Sequence, residues 1–318
     1  MKVLCGTDFS EPAKDAAEVA SYVAAKLKHP LKLVHCVADW LAPAEYPVVE
    51  SLHSHGQNLL DAEADRICAP GQRVETTVMH GSAGHHLIEE GDDDTALVVM
   101  GATGKGITER LLVGSVAEHV AESVITPTLV VRHAEPLLQW LQNGKALKVL
   151  CASDVSESED ALPRAIEKLL LLGPIDLECA HFVQMNAKMV QSGEWMVGDS
   201  DFTTPANKET TAVQEKVKKR FDEAIGVVPR AVHVLPSWGN PAYDLVAVAQ
   251  RAKADLIVVG SHHRHGLQRL KHPSFSRRVL AHGHTNVLCV YLGEAELESK
   301  VSATSRKAGQ KAGVPAGV

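Results

Sequence analysis

The residues best suited to chemistry are a glycine run and a later glycine–serine pair: Gly101-Ala102-Thr103-Gly104-Lys105-Gly106, then Gly114-Ser115-Val116. Glycine lets a backbone approach a ligand closely and adopt positive φ. Successive N–H groups can then form a nest for anionic oxygens. A serine opening a helix adds free amides and the positive end of the helix dipole. Two such turns, joined by a loop, can hold a polyphosphate from both sides. The string is neither G-x4-G-K-[ST] nor G-x-G-x-x-G, so it is not a P-loop or the dinucleotide fingerprint. Asp8, in Thr7-Asp8-Phe9-Ser10, ends the first apolar run. A lone Asp there could cap the next helix, but its pairing with the glycine loop favours a ligand role.

Histidine offers the rival chemistry. Of 17 histidines, several cluster: His53-x-His55, His85-His86, His262-His263-x-His265 and His282-x-His284. Zinc needs three or four converging ligands, and no second Cys or His cluster at a recognised spacing stands beside these. No metal ligand is assigned. The His262–His265 loop, with Arg264 and Arg269, could also hold an anion below neutral pH. Nucleophilic catalysis has little support: Ser115 lacks a G-x-S-x-G elbow, and Cys5 and Cys151 lie inside apolar runs. No catalytic residue is assigned.

The elements that must position these residues come from an internal repeat. VLCGTDFS (3–10) recurs as VLCASDVS (149–156), offset by 146. LKLVHCV (31–37) meets IDLECAHFV (175–183) at the same offset, pairing His35 with His181. TALVVMGATGKGITERLL (95–112) meets ADLIVVGSHHRHGLQRLK (254–271) at an offset of 159, as does TPTLVV (126–131) with TNVLCV (285–290). Short Val/Leu-rich runs alternating with helical stretches predict βαβ units. Strands are expected at 2–7, 31–37, 73–79, 96–100 and 128–132, and again at 147–152, 175–183, 230–235, 255–259 and 286–291. Helices are expected at 11–28 (Ser10 as N-cap, Pro12 in the first turn), 44–68, 83–91 (stopped by Gly91) and 115–123. The predicted fold is α/β: two tandem, doubly wound, parallel five-stranded sheets flanked by helices, Rossmann-like. The expected layout is a domain at 1–134, a docked connector at 135–146, a second domain at 147–292 and a disordered tail at 293–318. Pro136 should break the last strand of the first domain, and Asn143-Gly144 should form a turn.

The spacing G-x2-G-x9-G-[ST] resembles the ATP-binding motif of the universal stress protein family, with Gly101, Gly104, Gly114 and Ser115 in its fixed positions. The opening Thr7-Asp8-x-Ser10 and the closing AEHV…TPTLVV are similar to that family as well, and the likeness runs from about residue 1 to 292. It implies the adenine nucleotide alpha hydrolase-like fold, ATP as ligand, and these roles. Thr7 and Asp8 lie near the adenosine, and Cys36 and Val37 line the adenine. Met100 and Gly101 sit under the ribose and first phosphate. Gly104, Lys105, Gly114, Ser115 and Val116 meet the phosphates, and any Mg2+ is held mainly by those phosphates. The second copy keeps Gly260, Ser274 and Asp154, but His263 and Pro273 replace the second and third glycines. That implies weak or no ATP binding there; a different ligand stays open.

The resulting expectation is an ATP-binding regulatory protein of the stress response, with at most slow hydrolysis. Its partners would be an adenine nucleotide and a protein not identifiable from sequence. The repeats would form a pseudo-dimer within the chain, with a homodimer left open. Two alternatives stand beside it: a sensor using the second domain's His-rich loop, and an adenylating enzyme of the same fold group. The latter usually carries an S-G-G-x-D-S-type loop, which GTDFSEP lacks. A formal charge of −7 provides no field to attract nucleic acid. No apolar run approaches the ~20 residues of a membrane span, and MKVLCGTDFS has no signal-peptide h-region. Six scattered cysteines without a CxxC pair suggest a reducing, cytoplasmic setting.

Overall fold

The structure is a computed structural model that describes residues 1–37, 46–68, 71–92, 94–104, 113–153, 161–184, 208–237, 240–261 and 274–292. Lys105, Gly106, Asp154, the 262–273 loop with its histidines, arginines and Pro273, and the 293–318 tail lie outside the described residues.

The first half contains β1 (Lys2–Gly6), α1 (Glu11–Leu27), β2 (Leu31–Val37), α2 (Tyr46–Ile67), β3 (Val74–His80), α3 (Ala83–Asp92), β4 (Thr95–Gly101), α4 (Ser115–Ser123) and β5 (Thr128–Val131). After α5 (Ala134–Asn143) the second half follows: β6 (Leu147–Ala152), α6 (Ala161–Leu172), β7 (Ile175–Gln184), α7 (Lys208–Ile225), β8 (Ala231–Ser237), α8 (Pro241–Ala252), β9 (Leu256–Ser261), α9 (Phe275–His282) and β10 (Asn286–Tyr291).

The strands read as continuous apolar runs because both faces of the sheet are covered. In β1, Val3 and Cys5 join the core under α1, α2, α5, α6 and α7, whereas Leu4 joins the core under α3, α4, α8 and α9. Helix α1 packs closely because its buried stripe is small: Ala13, Ala16, Ala17, Ala20 and Ala24. It begins after Ser10, carries Pro12 in its first turn and ends at Lys28 in a left-handed conformation.

Sheet order is β3-β2-β1-β4-β5-β10-β9-β6-β7-β8. Each half is parallel and doubly wound, with the switch in strand order between β1 and β4 and its counterpart between β6 and β9. The two five-stranded units share one sheet through antiparallel pairing of β5 with β10. Leu129 faces Leu288, its own repeat equivalent at the 159-residue offset. A local pseudo-two-fold axis therefore passes through this pair. An unpaired β5, whose four residues are all buried, would leave an edge with open N–H and C=O groups, and β10 covers it. Asn286 fastens the join. Its side-chain oxygen accepts from the Arg132 and His133 amides at 2.8 and 3.0 Å, and its NH2 donates to the His133 and Asp255 carbonyls at 3.0 and 2.9 Å.

Two local expectations are corrected. The connector is a helix, α5, with Leu137, Trp140 and Leu141 buried and Gly144 closing it at φ 67°. Pro136 sits in its first turn, where a missing N–H costs nothing, instead of breaking β5. Gly91 lies inside α3 and does not stop it. A Cβ there would stand 2.7 Å from the Val124 side chain, so close packing on α4's end explains the glycine.

Candidate functional site

A cavity of about 260 Å³ opens at the carboxyl ends of β1, β2 and β4, roofed by α3 and bounded by the start of α4. Among the sequence-predicted residues, Thr7, Asp8, Cys36, Met100, Gly101, Gly104, Gly114, Ser115 and Val116 line it. His35, Ala83, Leu87 and Thr103 line it as well. Val37 does not. Alternation along β2 turns Cys36 toward the α3/α4 side and Val37 into the opposite core. Its carbonyl is also engaged, accepting from the Gly81 amide at 2.9 Å.

The loop after β1 is pinned by its own side chains. Thr7 Oγ1 accepts from the Phe9 amide at 3.0 Å. Asp8 Oδ1 accepts from the Ser10 amide at 3.0 Å and the Ser10 hydroxyl at 2.6 Å. Phe9 takes a positive φ of 63°, and its ring lies 4.4 Å from that of His35. His35 Nδ1 donates to the Thr7 carbonyl at 2.8 Å, which fixes the proton on that nitrogen. The second half repeats this clamp, His181 Nδ1 donating to the Ser153 carbonyl at 2.9 Å. Sequence reasoning noticed the recurrent histidines and did not place them in the site; the shared offset was the available signal.

Asp8 also joins the two loops. A Cβ on Gly104 would stand 2.5 Å from Asp8 Oδ2, so the carboxylate packs over bare backbone. Gly101 is needed for another reason: a Cβ there would meet the Pro12 carbonyl at 2.7 Å, where α1 begins. At Gly114 an added methyl would find its nearest neighbour 3.6 Å away, an ordinary contact. The Gly114 N–H is already donated to the Ala102 carbonyl at 2.7 Å and is not free for an anion. The next amides, of Ser115, Val116 and Ala117, open α4 and make no hydrogen bond to a described backbone group. They and the helix dipole give the cavity an electropositive end. Its other walls, Met100, Leu87 and Cys36, are apolar. Burial pushes the Cys36 thiol up to about 11, so it lines the wall as a neutral group and not as a nucleophile. Cys5, in the core on the other face, is likewise neutral, its thiol pushed up to about 12 by burial and then by Glu63.

The counterpart helix start in the second half is differently furnished. Ser274 is the N-cap of α9, its Oγ accepting from the Arg277 amide at 3.1 Å. The Ser274 hydroxyl donates to the carboxylate of Glu122, from the last turn of α4 in the first half. Beside it Glu118 pairs with Arg277. These two are repeat equivalents, so they meet across the pseudo-two-fold axis. The mirror position of Glu122 is Ala281, which brings no carboxylate toward Ser115.

Among the described residues no group of three or more His, Cys, Asp or Glu could hold a metal ion, and no helix is long and apolar enough to cross a membrane. His53 Nδ1 lies 3.0 Å from His80 Nε2, a pair without a third ligand among the described residues. All six cysteines are free.

A sequence model of the universal stress protein family matches residues 1–132 and 147–291. The chain is similar to a universal stress protein of Mycolicibacterium smegmatis, 27% identical over 307 residues, covering 91% of this chain and 96% of that one. It is also similar to universal stress protein MJ0531 of Methanocaldococcus jannaschii, 30% identical over 138 residues, 41% of this chain and 81% of the relative. In fold it is similar to a universal stress protein from Archaeoglobus fulgidus, with a TM-score of 0.65 at 19% identity, covering 92% of this chain and 97% of the other.

Proposed function

The chain belongs to the universal stress protein family in a tandem form, and from that premise we propose that its first half binds one ATP and the second half binds it weakly or not at all. The observation that carries this reading is the electropositive start of α4. Three open amides, at Ser115, Val116 and Ala117, border the same cavity as Asp8 and Gly104. Polyphosphate oxygens fit such amides without any cationic side chain. The adenosine then lies along the apolar wall of Met100 and Cys36, with Asp8 beside the ribose. Lys105, next to Gly104 in sequence, is the cation that the family likeness assigns to the phosphates, and a divalent ion, when bound, neutralises the phosphates that hold it.

Hydrolysis is at most slow in this reading. Asp8 Oδ1 is committed to Ser10, and the thiol of Cys36 is protonated, so neither is placed as a base or nucleophile. Nucleotide occupancy acts instead as a signal in a stress response, read by a protein partner. The six free thiols suit a reducing, cytoplasmic setting.

Calorimetric titration with ATP, ADP, AMP and zinc tests the proposal. The expected result is one adenine nucleotide per chain, lost in Gly114→Trp and in Ser115→Glu. Zinc binding without any nucleotide heat would overturn it in favour of a metal sensor, and rapid turnover with an acid co-substrate would favour an adenylating enzyme.

A further inference from the structure

A second cavity, of about 230 Å³, lies on the opposite face of the sheet and is shared by the two halves. Leu129 and Leu288, the pair on the pseudo-two-fold axis, are among its lining residues. Val23 of α1, Trp140 of α5 and Leu169 of α6 form walls. Its origin is legible in the repeat. Helix α1 carries an alanine stripe and α6 a leucine-rich one, so two equivalent helices of unequal bulk flank one axis, with α5 beside them. A continuous apolar hollow that opens to solvent is where a ligand with an apolar body can bury surface.

The charge around the cavity narrows the occupant. The ionisable side chains of its lining are both basic, His29 and Lys168. Neither forms an ion pair or side-chain hydrogen bond with a described residue, and Lys168 is exposed. Leu171 and Met1, 71% and 60% exposed, also line the cavity and extend its apolar surface to solvent. Nothing here suits a nucleotide: there is no glycine turn, no helix start and no run of open amides. An apolar body with a single negative end does suit it.

We propose that this cavity is a separate ligand site for a small amphipathic monocarboxylate, its alkyl chain between α1 and α6 and its carboxylate at Lys168 and His29. The site does not depend on the nucleotide reading, because it shares no residue with the first cavity.

Sodium octanoate is the probe, titrated calorimetrically into the full chain below its micelle concentration. Saturable one-per-chain binding is expected, weakened about tenfold in Lys168→Glu, a change at an exposed position that leaves the core alone. Ala165→Met, which fills the cavity, should abolish binding while circular dichroism stays unchanged. Should that variant misfold, octanol serves in its place, and it is expected to bind at least tenfold more weakly than octanoate. Ser115→Glu should bind octanoate like the wild type. No saturable heat up to millimolar octanoate overturns the proposal, as does binding untouched by Lys168→Glu. So does a concentration-dependent dimer, seen by light scattering, that covers Leu171 and leaves octanoate unbound.

Discussion

The start of α4 and the start of α9 occupy equivalent places in the repeat, yet one faces a cavity with open amides and the other meets a carboxylate of the same chain. Everything behind these helix starts is shared: the strand order, the buried Val/Leu runs, the histidine clamp on the loop after the first strand. The shared histidine contacts tie the loop after the first strand of each half to the neighbouring strand. The described difference is Glu122, which meets the start of α9, against Ala281 at its mirror position. Scaffold and site can thus be told apart within a single chain.

The largest effect is expected from Gly104→Val, which puts a side chain where Asp8 sits. Nucleotide affinity should fall ~100-fold, about 2.7 kcal/mol, with the thermal midpoint little changed; calorimetry and a melting curve check both. Next is Ala281→Glu, which installs the mirror image of Glu122 beside Ser115. If the carboxylate is what distinguishes the halves, first-half affinity should drop ~10-fold, near 1.4 kcal/mol; unchanged binding would trace the difference to the loop replacements His263 and Pro273.

The clamp residues offer a control. His35→Leu and His181→Leu each strand a carbonyl, and each should cost ~1–3 kcal/mol in urea unfolding, but only His35→Leu should also weaken nucleotide binding. Glu122→Ala removes an anion from a helix start and should cost ~1 kcal/mol of stability, with nucleotide affinity in the first half unaltered. The smallest effect concerns acid. Burial opposes ionisation of Glu90, but hydrogen bonds from Lys32 and Lys2 hold its carboxyl below the usual 4.5. A depressed carboxyl contributes stability above its unfolded value and loses it as the pH falls through the folded one. Between pH 7 and pH 3, urea midpoints should therefore fall further for wild type than for Glu90→Gln, whose amide does not titrate.

Much of this is legible in the residues. Val3, Leu4 and Cys5 announce a strand buried on both faces, and the glycines mark the loop that approaches β1. Val37 marks a limit, because neighbours on a strand point to opposite faces and only the helices packed on each face tell which one holds the cavity. Helix α5 is hidden by Pro136, which looks like a breaker, although Leu137, Trp140 and Leu141 already follow helical spacing. The β5–β10 pairing and the Glu122–Ser274 contact are out of reach altogether. Each joins residues about 150 positions apart, and no local pattern states which edge will meet which.

The contact across the axis has an evolutionary corollary. In a homodimer of identical subunits, any residue that plugs the partner's pocket plugs its own by the same symmetry, so closing one means closing both. Covalent fusion lifts that constraint. Once Glu122 and Ala281 are encoded separately, one helix start can receive a carboxylate from the other half while its counterpart receives none.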